Sequence, residues 1–168
     1  MISVTTVREV SAPVSANQWE LLIPHFPSVI NYPSINFSYQ CRDVFLPGVD
    51  VTSETLRWQM WAYNIPVRKD YPREIQIKME ENREFPIGPV LLEWCTLVGD
   101  ERTGTGYPPS AMTATVLVRL VNYDDTPIFT YVLANAFPKK VIDTPLSYQE
   151  DAAVVYNVLF SYDYYMIE

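Results

Sequence analysis

Few residues in this chain have the types and spacing that chemistry needs. The single histidine, His25, sits in Pro24-His25-Phe26-Pro27, and no motif pairs it with an acid or a thiol. Acid–base and metal centres usually draw on several histidines, so this imidazole reads as part of a stiff loop. Cys41 and Cys95 both fall on apolar phases, which predicts buried, inert thiols rather than a disulfide or a nucleophile. Thr103-Gly104-Thr105-Gly106 lacks the Gly-Lys-Ser/Thr that a phosphate-cradling loop requires. Asp124-Asp125 has no further oxygen ligand spaced nearby and reads as turn chemistry. Asn36-Phe37-Ser38 matches a glycosylation sequon, which carries no meaning without a secretory signal. Glu80, Glu81 and Glu84 read as a solvated strand end. No catalytic constellation emerges, and the expectation is a protein that is not an enzyme and uses no metal or cofactor.

The elements that must position whatever the chain does use are those of one domain over residues 1–168. Apolar residues make up 48%, aromatic ones 14% and charged ones only 19%, which supports a sizeable core and excludes a disordered polyampholyte. Twelve basic against twenty acidic residues leave a net charge of −8, which repels phosphate backbones and argues against specific nucleic-acid binding. No apolar run approaches a membrane span, and Met1 to Val10 lacks the apolar stretch of a signal peptide, so a soluble, intracellular protein is expected. Fourteen prolines against five glycines imply stiff loops and few hinges.

Period-2 alternation dominates. It brings Trp19, Leu21 and Ile23 into phase, then Ile35, Phe37, Tyr39 and Cys41, then Ile75, Ile77 and Met79. Each set predicts a strand of an antiparallel sheet with one wet face. Residues 112–121 and 128–134 predict a hairpin around Asn122 to Pro127. A long closing strand is expected from Val154 to Met166, with an apolar even face and Asn157, Ser161 and Asp163 on the other. Ile87, Leu91, Trp94, Cys95 and Val98 instead follow a helical stripe, with Pro89 in its first turn and Gly99 beyond its last. The predicted fold is mainly β: an antiparallel barrel or sandwich of roughly seven strands with one flanking helix. Residues 49–71 are expected to form an extended hairpin arm. Its Trp58, Trp61 and Tyr63 either pack on the barrel or form an exposed patch that marks an interface.

In order, the pieces resemble the tail tube proteins of contractile-tailed bacteriophages. The carriers are the strand ending in Leu46-Pro47-Gly48, the hairpin, the strand Glu74 to Asn82, and the helix with Leu92-Glu93-Trp94. Asn135-Ala136-Phe137-Pro138, Leu146-Ser147-Tyr148, Glu150-Asp151 and the closing Tyr162-Asp163-Tyr164 follow, so that the resemblance spans residues 17–166. It implies a protomer that forms hexameric rings stacked into a hollow tube, with the arm, through Trp58, Trp61 and Tyr63, on the neighbouring ring. Sheath and baseplate proteins would be partners, and assembly in the host cytoplasm would precede residence in the virion tail.

Such a tube conducts DNA without binding it specifically. Six copies at −8 each would give a ring −48 formal charges, and lumen carboxylates would keep phosphates from sticking. Asn157, Ser161 and Asp163 are the lumen candidates. The extra length at residues 1–17 and 24–34 suits a baseplate tube initiator of the same fold, and the secreted tube of type VI secretion is a further relative. A glycan- or ligand-binding sandwich stacking Trp58 and Trp61 on its target is the reading from another class.

Overall fold

The computed structural model describes residues 16–100, 102–142, 144, 146 and 153–168. Among the described residues nine strands carry the architecture: β1 (Trp19–Leu22), β2 (Cys41–Val44), β3 (Asp50–Trp58), β4 (Trp61–Asp70), β5 (Glu74–Glu80), β6 (Ala114–Val121), β7 (Pro127–Ile142), β8 (Val155–Ser161) and β9 (Tyr164–Ile167). Helices α1 (Ser34–Gln40), α2 (Ile87–Thr96) and α3 (Pro109–Met112) complete it. Seven strands run in the antiparallel order β1-β6-β7-β8-β5-β2, with β9 also on β7, while β3 and β4 form a separate two-stranded sheet.

The sixteen-residue β7 joins two layers. Its first half pairs with β6 and β9, and its second half with β8. Between the halves the β6 register slips opposite Ala134 and Asn135, and Asn135 takes φ of +53°. A bulge at a residue tolerant of left-handed backbone bends the strand so that one sheet folds over itself. The end strands β1 and β2 are each hydrogen-bonded on one side only, so among the described residues the sheet stays an open sandwich rather than a closed barrel.

The core lies between the layers. Leu21, Val116, Val118 and Leu133 face Ile75, Ile77, Met79, Val158 and Phe160, all buried. Helix α2 closes the side with Ile87, Leu91, Trp94 and Leu97. Trp94 meets Phe160 and Phe26 edge to face at 5.7 and 5.4 Å, and its indole N–H donates to the Met112 carbonyl at 2.6 Å. Burial of each such side chain stabilises the fold by roughly 1.5–3 kcal/mol.

The alternation of residues 35–42 does not make a strand. Ser34 to Gln40 is helix α1, and only Cys41 to Val44 is extended. Phe37 and Gln40, three residues apart, are buried while Tyr39 is exposed, which is helical periodicity. Gln40 is tolerated inside because its amide donates to the Phe85 carbonyl and accepts from the Tyr32 hydroxyl. The α2 stripe is also displaced at its end. Leu97 is buried and Val98 is 63% exposed, because the helix stops at Thr96.

The closing strand is two strands. Tyr162 N–H donates to the Arg73 carbonyl and Asp163 N–H to the Ala134 carbonyl, which carries the chain from one layer to the other. The inward phase shifts there: Val158, Phe160 and Tyr162 are buried, but Tyr164 and Met166 are exposed and Tyr165 packs on Tyr71 and Tyr131. The expected even-numbered core face therefore ends at Tyr162. Residues 1–15, Ser147-Tyr148 and Glu150-Asp151 lie outside the described residues.

Candidate functional site

Residues 49–71 form a projecting arm. Strands β3 and β4 pair from Asp50↔Asp70 to Trp58↔Trp61, with a register shift between Thr52 and Ser53, around a two-residue tip, Gln59-Met60. Such tight hairpins need positive φ, which Gln59 supplies at +55°. Because cross-strand partners share a face, the pairings Trp58↔Trp61, Leu56↔Tyr63 and Glu54↔Ile65 gather five large apolar side chains on one side. The other side carries Thr55, Asn64 and Arg57, with the Thr55 hydroxyl hydrogen-bonded to Asn64 Oδ1 at 2.7 Å. Trp58 is 73% exposed, Trp61 68% and Tyr63 56%, so these rings do not pack on the sandwich. Five contiguous large apolar residues in water are what an interface looks like before its partner arrives.

The lumen candidates separate. Asn157 and Ser161 share the outer face of β8, whereas Asp163 sits at the break before β9. The Asn157 amide oxygen is buried without a partner among the described residues, and the Ser161 hydroxyl donates to the Arg73 carbonyl at 3.2 Å. Asp163 accepts from the Asn135 amide at 2.7 Å. The surrounding outer face is not uniformly acidic: Lys78 pairs with Asp43 at 3.1 Å, Arg42 with Glu80 at 3.8 Å, and Lys139 with Glu74.

Residues with reactive groups take structural parts. Cys41 and Cys95 are free and half-buried. Burial, then the charge of Asp43, pushes the Cys41 thiol up to about 12, and burial raises that of Cys95. Both stay protonated at neutral pH, and a protonated thiol is a poor nucleophile. Asp124 accepts from the Thr126 hydroxyl at 2.6 Å while Asp125 takes φ of +60°, so the pair shapes the β6–β7 turn. A side chain at Gly106 would meet the Val98 carbonyl oxygen at 2.5 Å, so this glycine serves close backbone packing. His25 is exposed. Among the described residues no three His, Cys, Asp or Glu side chains are placed to hold a metal ion, and no helix is long and apolar enough to cross a membrane.

Glu81 is the residue whose role the residue pattern hides. Its carboxylate accepts the backbone N–H groups of Ile87 at 2.7 Å and Gly88 at 3.1 Å, at the start of α2. The signal available in the sequence was a carboxylate shortly before Pro86, whose own side chain cannot cap a helix.

The fold is a mainly β open sandwich whose most conspicuous surface is a projecting aromatic arm. The chain belongs to the phage tail tube protein family, whose model matches residues 28–168. Such proteins are structural and normally non-enzymatic. Among solved structures, a chain of the anti-feeding prophage tube-terminating cap is similar with a TM-score of 0.67 at 12% identity, covering 95% of this chain and 93% of that one. A chain of the sheath–tube complex of an extracellular contractile injection system, in its extended state, gives 0.65 at 14% identity, covering 99% and 98%. A chain of the anti-feeding prophage baseplate gives 0.63 at 14%, covering 95% and 97%. At these identities the likeness is one of fold. No curated protein matches by sequence.

Proposed function

We propose that this chain is a tail tube subunit, a single domain whose copies close into hexameric rings that stack as a hollow conduit for DNA ejection. The observation that carries the reading is the uncovered apolar face of the arm, with Trp58, Trp61 and Tyr63 held away from the protein's own core. A neighbouring ring is the natural cover, because a short two-stranded ribbon is marginal alone in water and gains stability when its apolar face is packed. The outer face of β8, with Asn157 and Ser161, and the nearby Asp163 line the channel. Sheath and baseplate proteins meet the other surfaces, and the particle is a virion tail built in the host cytoplasm.

The reading is tested by electron microscopy of the purified protein at rising concentration. Rings and open-ended tubes are expected, and a monomer at every concentration overturns it. A tube-end subunit is the second reading, favoured by the similarity to chains of a cap and a baseplate. It predicts assemblies that stop at one ring. A ligand-binding module is disfavoured because Trp58 and Trp61 stand on an exposed hairpin, whereas small-molecule sites are concave.

A further inference from the structure

We propose that the outer end of the arm of one copy seats in the groove beside α2 of another, an inference that rests on the tube-subunit reading above. The groove has a volume of about 910 Å³. Val29, Leu92 and Tyr107 give it an exposed apolar lining, and Glu93 and Asp100 give it carboxylates, with Arg102 as the opposing charge. It lies along the last turns of α2, which carry no basic residue of their own to offset the negative pole of the helix. None of the described residues fills this space. Volumes of ~300–1,000 Å³ hold large aromatic ligands, so two indoles fit.

The arm presents the matching chemistry. Trp58, Met60 and Trp61 crowd its tip, and Met60 is 97% exposed. Arg57 is the only charged residue between Glu54 and Arg68, so the arm's outer end is apolar with a single positive charge. That end suits a groove of apolar walls with two carboxylates and a helix C-terminus. Nine residues of β3 at ~3.3 Å each reach roughly 30 Å, enough to cross into another subunit.

The occupant is a second copy because knob and groove are different surfaces of one chain. Such a contact is heterologous: each copy gives its arm and receives another, and the pairing propagates as an open stack wherever its rotation does not close it into a ring. That is the geometry an open-ended stack requires, whereas a patch that paired with itself would stop at two.

The test uses the full chain in two ways. In a Cys41→Ala, Cys95→Ala background, which removes the native free thiols including the one lining the groove, Met60→Cys combined with Leu92→Cys should form an intermolecular disulfide under mild oxidation in assembled material, and Met60→Cys alone should not. Arg57→Glu and Glu93→Arg should each raise the concentration needed for assembly roughly tenfold by placing like charges together, and the double variant should recover most of the loss. Both substitutions are at exposed positions, so the protomer should fold as before. If wild-type protein assembles but neither the cross-link nor the charge rescue occurs, the groove is not the receptor and the tube-subunit reading stands. If wild-type protein never assembles, both fall.

Discussion

The carboxylate of Glu81 accepts the backbone N–H of Ile87 at 2.7 Å, which ties the end of β5 to the first residue of α2. The same group accepts from Gly88, and the Tyr156 hydroxyl packs beside it. Helix starts leave N–H groups without partners, and here a carboxylate from outside the helix satisfies two of them while complementing its dipole. A side chain at Gly88 would come within 2.5 Å of the Tyr156 hydroxyl oxygen, so the end of that tyrosine side chain would have to shift.

Glu81→Ala should therefore cost about 0.5–2 kcal/mol of stability, the usual range for a lost N-terminal cap. Glu81→Gln keeps an acceptor but not the charge and should lose less. Urea unfolding of the three proteins measures this, and equal midpoints would show that the cap contributes nothing.

How much of this was legible in the residues follows from where the deciding contacts lie. Ile75, Ile77 and Met79 are inward as their alternation requires, because the wet and dry faces of β5 differ sharply in composition. The alternation from Ile35 to Cys41 does not make a strand, because over so short a stretch it coincides with a helix that buries Phe37 and Gln40 three residues apart. The break at Tyr162-Asp163 depends on hydrogen bonds to Arg73 and Ala134, distant in sequence, and no local pattern announces it. For the site, composition left Trp58 and Trp61 open between core and surface. The register that sets them opposite each other near the tip of a free-standing hairpin is what exposes both.

Stability should fall at high pH. The Cys41 thiol rises from 9.0 to about 12 and the Tyr162 phenol from 10.0 to about 12, in both cases chiefly through burial. The folded state thus holds protons that the unfolded chain releases, and stability is lost as pH rises from about 9 towards 12. Urea midpoints should be flat from pH 7 to about 8.5 and then decline, with a shallower decline in Cys41→Ala. An identical slope in that variant would remove Cys41 from the account.

Replacing Trp58 and Trp61 together with Ser should leave a folded monomer that no longer polymerises. Both rings are exposed in the protomer, so their removal leaves no cavity, while the contact they offer a neighbour disappears. Circular dichroism checks the fold and sedimentation checks assembly. Normal tubes from this variant would mean that the arm is not the contact between rings.

The channel makes the last prediction, and the ion pairs around β8 sharpen it. Lys78, Arg42 and Lys139 each face a carboxylate, so that part of the outer face is locally balanced and presents little net field to a passing phosphate. Asp163 is different: its hydrogen-bond partner is the neutral amide of Asn135, which leaves its charge uncompensated by that contact. If this region lines the tube, one such carboxylate per subunit forms a ring of repulsion that keeps DNA from adhering. Asp163→Asn removes the charge and keeps an acceptor for Asn135, and Asp163→Lys reverses it. Both should assemble, because the residue is exposed and its backbone N–H still donates to Ala134. DNA ejection should slow in the order wild type, Asn, Lys. The spread should be widest at about 0.01 M salt, where screening extends over ~30 Å rather than ~10 Å at 0.1 M. Equal ejection rates in the three virions at low salt would place Asp163 away from the path of the DNA.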